Sequence, residues 1–223
     1  VAVASYWMAL LQPKLMLDLD LLNNGVEVIT VPPSFHPFED GRSLVYFTDE
    51  AQFLREVAQF SERDAAAYPK FVAHMADLIP FVRRLLFETP VDPSTKRVKD
   101  LAKTMAVAWR MKDIGKRVYD LWDLLTLSAH DYLRRWFESD QMLTILGSYA
   151  SGAAGVISPK SPGSAYVLAR PLMRDNTTAA GGGGLVKGGM GAISDALWRV
   201  GSKAGAELIT GHSVARVDIR DGK

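Results

Sequence analysis

The sequence predicts an α+β fold, mainly helical with a small β-sheet, although residue pattern alone leaves α/β open beside α+β. Three observations lead there. Apolar residues at helical spacing dominate from about residue 48 to residue 150. Short apolar runs bounded by Gly, Pro and Asn lie toward both ends of the chain. The composition is that of a globular protein: 223 residues, 48% hydrophobic and 23% charged. A chain of this length falls between one large domain and two small ones, and buries roughly 70% of its unfolded surface.

Residues 10–22 carry Leu or Met at many positions, and Pro13 is placed to begin a helix. Asn23-Asn24-Gly25 stops it, because Gly supplies the left-handed conformation that follows a helix. Residues 26–31 read as a strand ended by Pro32-Pro33, and residues 34–38 as a second strand weakened by Pro37. Asp40-Gly41 is a turn and residues 43–47 a third strand, which together make a β-meander.

From residue 48 to about 87 the pattern is helical. Thr48-Asp49-Glu50 starts it with acids at the positive end of the helix dipole. Ser61-Glu62-Arg63-Asp64 resembles a capping box with Asp in place of Glu, and Phe71, Met75, Leu78 and Val82 form an apolar stripe. Pro69 and Pro80 are expected to kink or divide this region.

After a Pro-containing loop at 89–95, residues 96–117 are the most charged part of the chain. Lys96, Arg97, Lys99, Lys103, Arg110, Lys112, Lys116 and Arg117 stand against Asp100 and Asp113, and Val98, Leu101, Met105 and Trp109 recur at spacings of three and four. This reads either as a surface helix with a solvated basic face or as a helix resting on an anionic membrane surface.

Ser128-Ala129-His130-Asp131 opens another helix running to about 138, and Ser139 caps the next, which fades at the small residues 151–155. Residues 156–163 are a loop and 166–168 a short strand. Residues 176–191 are rich in Gly, residues 192–204 form a helix stopped by Gly205, and 207–210 and 214–220 read as strands. The last alternates apolar and polar residues, and Asp221-Gly222 is a hairpin turn with no returning strand. With Val rather than Met at position 1, this suggests a piece of a longer protein.

Several function classes recede on these observations. With 26 basic and 25 acidic residues the net charge is +1, unlike a dedicated nucleic-acid binder. The absence of Cys removes disulfides, Cys-based zinc sites and thiol nucleophiles. No stretch reaches the ~18 apolar residues of a membrane span, and the apolar start lacks the basic n-region and the cleavage site of a signal peptide. His36, His74, His130 and His212 show no metal-binding spacing, so no metal site is expected. G-x-S-x-G is absent, and no catalytic acid or base stands out. The Gly-rich stretch matches neither G-x-G-x-x-G nor the P-loop. It is either a flexible connector feeding a helix or a backbone built for close approach of a ligand, with Gly189 near a helix N-terminus.

Several segments, in order along nearly the whole chain, carry a resemblance. They are Ser5-Tyr6 with 15–22, PPSFHPFEDGRSL at 32–44, FSERDAAAYPKF at 60–71, SAHDYLRRWFES at 128–139, SPKSPGSAYVL at 158–168, and KGGMGAISDAL at 187–197 continuing through GAELITGHSVARV to 217. Together they resemble the phytoene-dehydrogenase-related FAD-dependent oxidoreductases of the amine-oxidase-like flavoprotein group, including its pyridine nucleotide-disulfide oxidoreductase domain-containing branch. Residues 170–184 depart from that family's pattern.

The resemblance implies a mainly helical substrate-binding domain over 1–180 and part of an α/β FAD-binding domain over 181–223. The Gly-rich dinucleotide motif of the family's N-terminal βαβ unit has no counterpart here. Gly188, Gly189 and Met190 would form the turn that re-enters the FAD domain, and the Val214 backbone would contact the adenine. The implied chemistry is transfer of a hydride equivalent between an apolar organic substrate and FAD, in a pocket lined by Tyr6, Trp7, Phe35 and Phe38, each of which also reads as ordinary core packing. The chain by itself is expected to hold FAD weakly or not at all and to be inactive. The competing readings are a non-enzymatic interaction module and a peripheral membrane or lipid-binding protein. The expected location is cytoplasmic or peripheral to a membrane.

Overall fold

A computed structural model of the chain describes Met8 and residues 11–29, 33–46, 49–86, 97–151, 157–169 and 184–219. The predicted features at 48, 89–95, 152–156, 170–183 and 221–222 lie outside these residues, as do Tyr6 and Trp7. The elements are α1 (Pro13–Asp18), β1 (Val28–Ile29), β2 (Ser34–Pro37), β3 (Ser43–Tyr46), α2 (Glu50–Ala58), α3 (Glu62–Leu86), α4 (Val98–Arg110), α5 (Arg117–Thr126), α6 (Ala129–Arg134), α7 (Asp140–Ala150), a 3₁₀ helix (Ser164–Ala169), β4 (Leu185–Val186) and α8 (Gly191–Lys203). The α+β class holds.

The larger of two cores is helical. It joins Leu44 of β3, Phe53 and Val57 of α2, Tyr68, Phe71, Met75, Leu78, Ile79 and Val82 of α3, and buried residues of α5, α6, α7 and the 3₁₀ helix. Local capping explains where these helices begin. The Asp49 carboxylate accepts Gln52 N–H at 2.8 Å, Ser61 Oγ accepts Asp64 N–H at 3.1 Å, and Ser128 Oγ accepts Asp131 N–H at 3.0 Å. Pro69 and Pro80 do not divide α3, which runs unbroken through both. Each proline removes one ladder hydrogen bond, but the stripe from Tyr68 to Val82 is buried along the whole helix and holds it together.

A long-range polar contact in this core belongs to Asp64, which is fully buried. One carboxylate oxygen accepts Glu138 N–H at 2.9 Å, and the other accepts Ser139 N–H at 2.9 Å and the Ser139 hydroxyl at 2.5 Å. Ser139 is the N-cap of α7, so Asp64 fastens the start of α7 to the first turn of α3. Around it, the Glu138 carboxylate accepts Ser61 Oγ–H at 3.0 Å and pairs with Arg63 at 2.6 Å.

Four further sequence expectations change. The charged region 96–117 is one helix, α4, followed by a break at Gly115 (φ +52°), after which α5 begins. Residues 166–168 are 3₁₀ helix rather than strand, because Ala165, Leu168 and Ala169 are all buried at helical spacing and Ser164 Oγ bonds locally to the carbonyls of Ser161 and Pro159. The meander is only a hairpin. β2 pairs antiparallel with β3 in the register Ser34↔Tyr46 to Pro37↔Ser43, across Gly41 at φ +82°. β1 instead pairs with β4, Val28↔Val186 and Ile29↔Leu185, extended by a bridge between Met8 and Gly184. A Cβ at Gly184 would sit 2.4 Å from the Ile29 carbonyl oxygen, so this close approach needs glycine.

The fourth concerns 207–210 and 214–220. Residues 206–219 form no strand and all are exposed. Alternation alone does not make a strand: backbone groups need a neighbouring chain, and among the described residues none reaches 207–219.

The second core brings the start of the chain to its end. Met8, Met16, Leu21 and Val26 pack with Val186 and Ala196, flanked by Leu11, Leu19, Val28, Met190, Ile193 and Val200. Arg199 donates to the Asn24 carbonyl at 2.6 Å and Lys203 to the Asn24 side chain at 2.7 Å, which secures α8 to the turn after α1. Gly205, at φ +87°, ends α8 with Ala206 N–H returning to the Gly201 carbonyl at 2.8 Å.

Asp64→Ala strands two backbone N–H groups and is expected to cost about 3 kcal/mol, against about 1 kcal/mol for Ser139→Ala. Urea unfolding measures both; equal, small losses would show that the Asp64 contacts do not hold the core.

Candidate functional site

The turn between β4 and α8 is where the sequence allows either a flexible connector or a ligand-approaching backbone. Its entry is pinned by Lys187, whose N–H donates to the Glu27 carbonyl at 2.9 Å and whose ammonium pairs with the Glu27 carboxylate at 2.9 and 3.1 Å. Gly188 and Gly189 follow at φ +81° and +83°, conformations that cost other residues about 1–2 kcal/mol each. Gly189 N–H closes the turn on the Val186 carbonyl at 2.8 Å. Met190 leads into α8 and packs, half-buried, against the second core.

This geometry leaves an open cradle. Among the described residues, the N–H groups of Gly188, Met190 and Gly191 have no backbone partner. A Cβ at Gly189 or Gly191 would meet nothing within 4 Å. No acid stands in the first turn of α8, so the positive end of a 13-residue helix is not neutralised from within. Free N–H groups at a helix start suit an anionic oxygen, such as that of a phosphate.

Val214 is placed differently. It is 81% exposed on the irregular segment 206–219, and no hydrogen bond joins that segment to the 187–190 turn among the described residues. Its N–H and C=O are open for pairing, the one property that an adenine edge requires of it. Gly188, Gly189 and Met190 are therefore together, and Val214 stands apart. Of the aromatic residues named for a pocket, Phe35 is exposed on β2, while Phe38 packs edge-on to Phe60 at 5.2 Å beside the larger core. The structure does not bring those two into one lining.

Other chemistry-bearing groups serve the fold. Ser128, His130 and Asp131 lie together, but the Ser128 hydroxyl donates to Asp131 at 2.6 Å rather than to His130. This is a helix cap, and no base activates the serine. The hydrogen bond from Ser128, then that from His130, holds the Asp131 carboxyl below its usual range. On β2, Ser34 Oγ and His36 Nε2 are 3.0 Å apart, and burial lowers the His36 pKa. Tyr46 and Tyr68 share a hydrogen bond at 2.9 Å inside the larger core, and desolvation pushes both phenols up. Tyr132 lies 3.1 Å from His74 Nε2, and burial raises its pKa to about 12. Sequence pattern marked none of these tyrosines, since their hydroxyls meet only across elements distant in the chain. Among the described residues no group of three His, Asp or Glu side chains could hold a metal ion, and no helix is long and apolar enough to cross a membrane.

No protein-family model matches the chain. Curated relatives do match, two of them from rodents. The chain is 32% identical over 231 residues to pyridine nucleotide-disulfide oxidoreductase domain-containing protein 2 of Rattus norvegicus, and 32% identical over 231 residues to the protein of the same name from Mus musculus. Each alignment covers 97% of this chain and 40% of the relative, so the chain spans about two-fifths of their length. This similarity supports an oxidoreductase type in general.

Gly189→Val forces a side chain into positive φ and is expected to cost about 1–2 kcal/mol, whereas Gly191→Ala, with open space and no positive φ, is neutral or slightly stabilising. Thermal unfolding of the two variants checks the contrast. For Tyr132 the folded pKa lies above the unfolded value near 10, so its contribution is complete below pH ~10 and lost as pH rises toward 12. Alkaline unfolding should be shallower in Tyr132→Phe over that window; identical curves would show that the phenol does not titrate with folding.

Proposed function

We propose that the chain is part of an FAD-dependent oxidoreductase of the desaturase or dehydrogenase type, acting on an apolar organic substrate. The observation that carries this is the similarity along 97% of the chain to two proteins named as oxidoreductase-domain proteins, together with an open glycine turn at the start of α8. Residues 1–180 would supply the substrate-binding part and residues 181–223 part of the FAD-binding domain. The pairing of β1 with β4 adds residues 8–29 as a support for the latter.

In this reading the backbone N–H groups of Gly188, Met190 and Gly191 hold a phosphate oxygen of FAD. The Val214 backbone offers one donor and one acceptor to the adenine edge, whatever its side chain. Glu27 keeps Lys187 turned to β1, so that the turn keeps its shape without a cation crowding it. Bound FAD would supply the two-electron acceptor for a substrate C–H bond.

The test uses the complete gene product. It should purify with visible flavin absorbance and release FAD on denaturation, while the 223-residue chain holds less than one equivalent. Gly189→Val in the complete product should weaken FAD by about tenfold, the worth of one charge-assisted hydrogen bond. A complete product that stays colourless after incubation with excess FAD would overturn the proposal and favour the non-enzymatic interaction module.

A further inference from the structure

Helix α4 turns its apolar side the wrong way for a globular protein. Val98, Leu101, Met105 and Trp109 fall within about 80° of one another around the helix axis. They are 80%, 48%, 73% and 69% exposed. Asp100 and Val107, on the opposite side, are only half-buried. The stripe that should pack inward thus faces out. A helix of 13 residues is marginal in water from its own hydrogen bonds, so an exposed stripe of this size calls for a covering surface.

The charges around the stripe define what that surface is. Lys112 and Lys116 are exposed on the turns just after α4, whereas Lys103 lies on the side of the helix away from the stripe, 4.0 Å from Asp100. Lys112 Nζ sits 4.2 Å from the centroid of the Trp109 ring, a cation held directly beside the bulkiest apolar residue. The acids nearby are engaged inward or locally: Asp113 by Arg84 at 2.7 and 3.1 Å, and Asp77 by Arg117. These pairs also tie the 113–117 turn to α3, and Met111 and Ile114 pack against the larger core. The C-terminal end of α4 is therefore a rigid base with a basic rim and an aromatic tip.

We propose that α4 docks on the surface of an anionic phospholipid bilayer, its axis in the membrane plane. Val98, Leu101, Met105 and Trp109 enter the headgroup–acyl boundary, while Lys112 and Lys116 meet lipid phosphates and carboxylates. Trp is suited to that boundary because its ring is apolar and its N–H is polar. Neither the apolar area nor the cations alone suffice for stable attachment; the combination does. The inference stands independently of the flavin reading.

The experiment is co-sedimentation with phosphatidylcholine vesicles, with and without phosphatidylserine, for both the complete gene product and the 223-residue chain. Binding is expected only with phosphatidylserine, and it should fall steeply as salt shortens the screening length. Lys112→Gln with Lys116→Gln should weaken it by on the order of twenty-fold, about fivefold for each cation near the surface. Trp109→Ser should weaken it by about tenfold through lost apolar burial. Leu17→Ser, which removes an exposed apolar residue of α1, should leave it unchanged. Circular dichroism of each variant reports the fold, and the salt series on the unsubstituted protein tests the idea without any variant. Equal binding to neutral vesicles, or none to anionic ones, overturns the proposal. So does binding by the 223-residue chain but not by the complete product, which would mean that the rest of the polypeptide covers α4. A concentration-dependent dimer that Trp109→Ser dissolves would assign the face to a second copy instead.

Discussion

The glycine turn depends on a pairing between residues far apart in the chain. Glu27 and Lys187 are 160 positions apart, yet backbone and side chains both join them. The join is short: two residue pairs of β1 and β4 and one bridge at Met8. So small a sheet cannot stand by itself, and its stability comes from the apolar side chains beneath it. Met8, Met16, Leu21, Val26, Val186 and Ala196 supply that support. Gly184 is the weak point, since its lack of a side chain is what lets the strands meet. Once β4 is fixed, Gly188 and Gly189 reverse the chain and α8 points away from a defined place.

The larger core does not depend on that pairing. It is held by helix stripes and by Asp64, whose carboxylate receives three donors from residues 138 and 139. A buried carboxylate is tolerated only because every contact is a hydrogen bond, and removing the receiver leaves buried donors unpaired. The arrangement lets α3 and α7 form one body while leaving the glycine turn to the second core.

Much of the helical part was legible because its signals are local. Ser61, Ser128 and Ser139 each cap the helix that the residue pattern predicted, and Gly205 ends α8 at the predicted place. What was not legible depends on partners. Residues 26–31 and 34–38 look alike as short strands, but only tertiary pairing decides that one joins residues 185–186 and the other residues 43–46. Residues 166–168 are β-like in composition and 3₁₀ in fact, because burial of Ala165 and Ala169 selects the tighter turn. The site shows the same division. The glycines at 188 and 189 could be read from residue type, whereas the Asp64 and Tyr132 contacts join elements more than fifty residues apart and carry no motif.

Three stretches with the same kind of pattern meet three different fates. The α3 stripe is buried, the α4 stripe faces out, and residues 214–219 alternate but pair with nothing among the described residues. Periodicity therefore reports which residues share a face and not what that face meets. What separates α3 from α4 is charge. Around α3 the cations are drawn into ion pairs, Arg84 with Asp113 and Arg117 with Asp77, which use up their fields within the protein. Beyond the end of α4, Lys112 and Lys116 are exposed, and the Lys112 ammonium sits beside the Trp109 ring. A core would have to desolvate those ammonium groups without compensation, which costs several kcal/mol per ion. A surface that is apolar below and anionic above would satisfy both the stripe of α4 and the cations after it, which is the reasoning behind the proposed docking.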